Sequence, residues 1–169
     1  MQLQKISLHS AGVTKVMQEL ESKGFKVKQV AKKESKADFL IFSKNGKTTR
    51  LKVFVTAFSY RGIGTNGEKG LSWMMSKDHI NLESDDSFFC FVVLQRATSD
   101  TTRFFVVPST VATKYLQDSF NNWLRLDKSH DKENTIRNFV IGSEQYSYPD
   151  SFSTPMEKDY ENKWNLLNR

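Results

Sequence analysis

The sequence predicts an α/β fold: a mixed central β-sheet flanked by helices. Three observations point there. A stripe of helical period lies near the start, two strand-like runs flank an Asn45-Gly46 turn, and two continuous apolar runs precede a second helix.

The elements follow in order. From Ser10 to Lys23, Val13, Val16, Met17 and Leu20 fall at i, i+3, i+4 and i+7, one face of a helix. Ser10 is placed to cap it, and Gly24 stands where a helix end favours a left-handed residue. Phe25 and Val27 begin a short strand, and the lysine-rich QVAKKESK reads as a loop or strand end. Residues 37–43 and 47–57 form a hairpin about Asn45-Gly46. Residues 59–72 are a glycine-rich connection with a formal GxGxxG from Gly62 to Gly67. No amphipathic helix opens at its third glycine and no Lys-Ser/Thr follows, so a surface loop is expected rather than a phosphate cradle.

The run Trp73–His79 reads either as a short helix or as an irregular segment. Residues 87–95, SFFCFVVLQ, are a central strand covered on both faces, and 103–107 are a second strand of the same kind. Pro108-Ser109 open a helix capped by Ser109, with Val111, Tyr115, Leu116, Phe120, Trp123 and Leu124 on its buried side. Residues 135–141 give a last short strand. Thr154-Pro155-Met156-Glu157 has the capping-box pattern, and Tyr160, Trp164 and Leu167 follow at helical spacing.

The 169 residues read as one domain, with a core over about 10–125 and a tail helix over about 154–168 that docks on it. No apolar run reaches membrane-spanning length, and MQLQKISLHS has no signal-peptide pattern. The one cysteine, Cys90, lies inside FFCFVVL and reads as a small buried hydrophobe, in keeping with a cytoplasmic location. Charge is uneven. Residues 1–52 hold 12 Lys or Arg against 4 acids, whereas 53–169 hold 13 against 15. A basic third on a near-neutral body suits either a polyanion, most simply nucleic acid, or a solvated lysine face.

Two residues of the hairpin carry the chemistry. Asp38 opens the first strand, and Lys52 lies deep in the otherwise apolar second. Burying a charge is costly unless it is paired or used. Asp38 and Lys52 therefore imply either an ion pair across the hairpin or a hydrolytic site. The loop decides whether they can meet. If Asn45-Gly46 is a two-residue turn, Asp38 faces Val53 and Lys52 points to the other side of the sheet. If Lys44-Asn45-Gly46 is a three-residue loop with Gly46 left-handed, Asp38 faces Lys52 and Leu40 faces Arg50. His9, His79 and His130 are far apart in sequence and have no cysteine partners, which gives zinc no support.

Ala37-Asp38-Phe39-Leu40-Ile41, the Lys52 strand and the opening helix with its Gly24-Phe25 exit resemble the PD-(D/E)XK, or restriction-endonuclease-like, nuclease superfamily. WMMSKDH, FFCFVVL and FFVVPS also look like segments of its small bacterial members. The resemblance covers about residues 10–125. It implies Mg²⁺-dependent phosphodiester hydrolysis, with Asp38 a metal ligand and Lys52 orienting water and stabilising charge. Arg50 departs from the pattern, standing where an acid-x-Lys motif has its acid, and a cation there repels Mg²⁺. Glu19 on the first helix is the better substitute carboxylate and second metal ligand, with Glu34 the other. Lys32, Lys33, Lys36 and Lys77 are expected phosphate contacts on DNA. The competing reading is a binding or assembly module without chemistry, favoured by Arg50; a homodimer is a third.

Overall fold

A computed structural model of the protein describes residues 7–31, 36–57, 61–62, 69–94, 102–130, 137–144 and 153–168, the side chains of Arg61, Lys69 and Lys77 excepted. The central sheet runs β1 (Lys26–Gln29), β2 (Phe39–Phe42), β3 (Thr48–Thr56), β6 (Ser87–Leu94), β7 (Thr102–Pro108) in that spatial order. All its pairs are antiparallel except β3 with β6. That parallel step needs a crossover, and the crossover carries β4 (Arg61–Gly62), β5 (Lys69–Met75) and the one-turn helix α2 (Lys77–Ile80).

β5 was not expected. It sits between β4 and β8 (Arg137–Gly142) in a second, three-stranded sheet. Leu71, Trp73 and Met75 alternate inward as a strand requires, but Met74 is 73% exposed. An apolar residue on the outer face makes Trp73-Met74-Met75 read as a continuous run and conceals the period of two.

The two faces of the central sheet bury separate cores. Helix α1 (Leu8–Ser22) covers one, where Val13, Val16 and Leu20 meet Phe39, Ile41, Leu51, Val53, Cys90 and Val106. The second sheet and α3 (Ser109–Leu126) cover the other, where Phe54, Phe89, Phe91 and Phe105 meet Trp73, Phe139, Tyr115 and Leu116. Every residue of β6 from Ser87 to Val93 is buried, as a strand covered on both faces demands. Trp73 Nε1–H donates to Val92 O at 3.0 Å, and the Phe91 and Phe139 rings stack at 4.2 Å, joining the second sheet to the first.

Local signals shift at three places. The cap of α1 is Ser7, not Ser10: its hydroxyl accepts the Ser10 N–H at 3.1 Å, so the helix starts earlier and takes in His9. Its far end closes as expected, with Gly24 at φ 76° and the N–H groups of Gly24 and Phe25 bonding back to Glu21 O and Leu20 O. Ser109 does not cap α3. Its hydroxyl donates to Ser84 O and accepts Ser84 N–H, both at 3.0 Å, tying the helix to the loop before β6. The tail is not one helix. It forms α4 (Glu157–Tyr160) and a 3-10 turn (Trp164–Asn168), broken at Asn162, whose φ is 54°.

Gly12 is where α1 touches the sheet. A Cβ there would lie 2.3 Å from Val55 Cγ2 and 2.9 Å from Cγ1. Gly12→Ala is expected to destabilise the fold by about 1 kcal/mol, overpacking of about 1–3 kcal/mol outweighing the helix-propensity gain of about 1. In a Val55→Ala background the same change should become stabilising, which a denaturant double-mutant cycle reads directly.

Candidate functional site

The hairpin has the three-residue loop. Phe39 pairs Leu51, Leu40 pairs Arg50, Ile41 pairs Thr49 and Phe42 pairs Thr48. Gly46 takes the left-handed φ of 82°, and Ser43 N–H bonds Lys47 O at 3.0 Å to close the loop. Continued one step, this register sets Asp38 opposite Lys52, and the Lys52 ammonium lies 3.4 Å from Asp38 Oδ2.

Asp38 is 7% exposed, and its surroundings explain how a carboxylate tolerates that. β2 ends at Phe39, so Val53 has no strand partner beyond it on that side. The Asp38 carboxylate takes its place: Oδ2 accepts the buried Val53 N–H at 2.8 Å. Asp38 N–H in turn donates to Leu51 O at 2.8 Å. The other oxygen, Oδ1, faces His9 Nε2 at 3.6 Å and accepts no hydrogen bond among the described residues. One oxygen is thus saturated and the other open.

His79 approaches from the second core. Its ring meets the edge of Phe54 at 4.9 Å, and its Nδ1 accepts Ser76 N–H at 2.9 Å. That bond leaves the neutral ring's hydrogen on Nε2. Burial holds the His79 pKa below its ordinary value, the nearby Lys52 ammonium adds to this, and Asp78 and Asp38 oppose it. The fold therefore brings two of the three histidines to the hairpin site. Periodicity held a signal for one of them. Run one step further back, the stripe Val13, Val16, Leu20 places His9 at the top of the same helix face.

The other expected residues are placed as follows. Glu19 pairs with Lys23 at 3.5 Å on an exposed part of α1. It lies ten residues beyond His9, about 15 Å along the axis, and does not join Asp38. Arg50 forms two hydrogen bonds to Asp86, at 3.0 and 2.9 Å. Ser84 donates a further one to Asp86, and these bonds, that from Ser84 first, hold its carboxyl below the usual range. Asp86 precedes β6, so only the parallel β3–β6 pairing brings it there. Lys36 is exposed just before Asp38. Lys77 opens α2, its side chain outside the described residues, and Lys32, Lys33 and Glu34 lie outside them altogether.

Lysines the sequence did not single out share the site's face. Lys28 pairs Leu40, which pairs Arg50; Lys26 pairs Phe42. Paired residues point the same way, so Lys26, Lys28, Arg50 and Lys52 lie on the face opposite α1. Lys26, Lys28 and Phe42 are exposed there.

Among the described residues no three His, Cys, Asp or Glu side chains are grouped to hold a metal. Mg²⁺ commonly takes one or two carboxylates and completes its shell with water and substrate phosphate. The open Asp38 Oδ1 fits that mode of binding, and Lys52 is placed to neutralise the oxygen opposite.

This chain is similar to a bacterial homing endonuclease, I-Ssp6803I. The likeness spans 99% of this chain and 93% of that one, at a TM-score of 0.51 and 13% sequence identity. No protein-family model and no curated protein matches the sequence. The likeness is one of fold, over nearly the whole of both chains. Among the described residues no helix is long and apolar enough to cross a membrane.

Proposed function

We propose that the protein is a DNA-directed nuclease of the PD-(D/E)XK type, and that the Asp38–Lys52 pocket is its phosphodiester site. One observation carries the reading: an aspartate and a lysine from adjoining strands converge at 3.4 Å on a fold like that of a homing endonuclease. The exposed Lys26 and Lys28 supply a phosphate-facing surface that continues from the pocket, about 13 Å along β2 from Asp38 to the Lys26–Phe42 row.

In this reading Lys52 donates to a non-bridging phosphate oxygen and stabilises the charge that develops there. Asp38 holds the ammonium in place through Oδ2 and leaves Oδ1 open to a cation. His79, neutral with its hydrogen on Nε2, offers a second donor, this one uncharged. A divalent cation, Mg²⁺ as the resemblance implies, would be held by Asp38 and the substrate phosphate. When bound it supplies Lewis-acid stabilisation and a more acidic water.

The Arg50–Asp86 pair favours a second reading, a nuclease fold that binds nucleic acid without cutting it. An arginine tied to an acid fills the position where a metal ligand is expected. One assay separates the two. Purified protein is incubated with plasmid and linear DNA in Mg²⁺ or Mn²⁺, beside Lys52→Ala. Cleavage that falls about 10²–10³-fold in the variant, with DNA binding retained, supports the enzyme. Salt-dependent binding with no cleavage in either ion sinks it and leaves the binding module.

A further inference from the structure

We propose that His9 is a metal ligand and makes the pocket prefer a first-row transition ion to Mg²⁺. The inference rests on the reading of the Asp38–Lys52 pocket as a phosphodiester site and specifies which ion that pocket holds.

Helix α1 contributes no carboxylate to the pocket; Glu19 is bonded to Lys23 further along. What α1 does contribute is the His9 imidazole. Its Nε2 lies 3.6 Å from Asp38 Oδ1, the oxygen that accepts no hydrogen bond among the described residues. At that distance the two atoms are beyond a direct hydrogen bond, which would bring them to about 3 Å. They are close to the separation of two donors sharing one ion. Bonds of about 2.1 Å meeting at right angles place the donors about 3.0 Å apart, and at a tetrahedral angle about 3.4 Å. A movement of a few tenths of an ångström closes the gap, and His9 has room for it, since its side chain is 37% exposed. Oδ2 is held by Val53 N–H and Lys52, which fixes the carboxylate so that Oδ1 points at His9.

The donor set decides the ion. Mg²⁺ takes oxygen ligands and gains little from imidazole, whereas first-row transition ions bind it increasingly well from Mn²⁺ through Co²⁺ to Ni²⁺. One nitrogen and one oxygen leave the remaining positions to water and substrate phosphate, the open arrangement of a reactive metal site rather than the closed one of a structural site. Among the described residues of the pocket, Lys52 is a cation and His79 Nδ1 is occupied by Ser76 N–H, so neither competes for the ion.

The test is a calorimetric titration of the nucleic-acid-free protein with Co²⁺ and with Mg²⁺, so that its outcome does not depend on cleavage. Co²⁺ is expected to bind at least ten-fold more tightly than Mg²⁺. His9→Ala should weaken Co²⁺ binding ten-fold or more and change Mg²⁺ binding less than two-fold. His9→Glu, which presents oxygen instead of nitrogen, should tighten Mg²⁺ and narrow the preference. His130→Ala, whose ring stacks on Trp123 just beyond the end of α3, is the control and should leave both titrations unchanged. Co²⁺ binding no tighter than Mg²⁺, or Co²⁺ affinity unaltered in His9→Ala, overturns the assignment. Failure of the nuclease reading looks different: Co²⁺ binds through His9, yet no DNA is cut with any ion.

Discussion

Asp38→Ala is expected to lose both cleavage and stability, and Asp38→Asn to lose cleavage with little loss of stability. The two roles of this carboxylate are separable because different atoms and charges perform them. Structurally, Oδ2 accepts the Val53 N–H where β2 has ended. Alanine leaves that buried donor without an acceptor and also leaves Lys52 without its counter-charge. Hydrogen bonds to charged groups are worth about 1.5–3 kcal/mol, so a loss of that size is expected, or a fall in Tm of about 4–10 °C for a chain of this length. Asparagine also removes the counter-charge of Lys52, whose side chain is partly exposed, but keeps an oxygen for Val53 N–H, so it should cost only about 1 kcal/mol. Chemically, both variants remove the negative charge that orients Lys52 and would hold a divalent cation, so both should reduce cleavage about 10²–10³-fold. Thermal denaturation beside a cleavage assay decides it. If Asp38→Asn cuts DNA at the parent rate, the carboxylate serves only to finish the sheet.

The hairpin shows how far sequence reasoning reaches and where it stops. Asn45-Gly46, the flanking runs and the charges at 38 and 52 were all visible. Whether those charges met was not, because Asn-Gly serves two loop lengths that differ by one residue in register. The choice lies in Gly46 turning left-handed with Lys44 and Asn45 taken into the loop. Tertiary placements were hidden for a different reason. Asp86 reaches Arg50 only through the parallel pairing of β3 and β6, strands more than thirty residues apart in the chain, and no local pattern encodes that. His9 was legible in part: the helix stripe pointed back to it, but Ser10 gave a competing cap that placed it outside the helix. Glu19 failed for the converse reason. It is on the right helix, but three turns away from the end that faces Asp38.

Trp164→Ala is expected to be among the most damaging substitutions in the chain, although it lies in a short tail. The tail runs along β7, a strand whose outer edge has no sheet neighbour among the described residues. Glu161 bridges to Phe105, Asn162 N–H donates to Phe104 O at 2.9 Å, and Arg103 pairs with Glu157 at 3.2 Å and Glu161 at 2.7 Å. These contacts cover an edge that would otherwise offer its backbone to another chain. The left-handed Asn162 then turns the chain so that Trp164 and Leu167 enter the core under α1, while Tyr160 packs on the opposite core. Removing so large a buried side chain costs about 3–5 kcal/mol. Trp164→Phe should cost far less than its lost volume suggests. The indole Nε1–H is buried with no acceptor among the described residues, a penalty of about 1–3 kcal/mol that phenylalanine relieves. The site lies at β2 and β3, three and two strand spacings, or about 14 and 10 Å, across the sheet from β7. Trp164→Ala should therefore lower Tm by about 10 °C yet retain the parent's DNA binding and cleavage at temperatures where it stays folded. A Tm within about 2 °C of the parent would mean that the tail is an appendage, not part of the core.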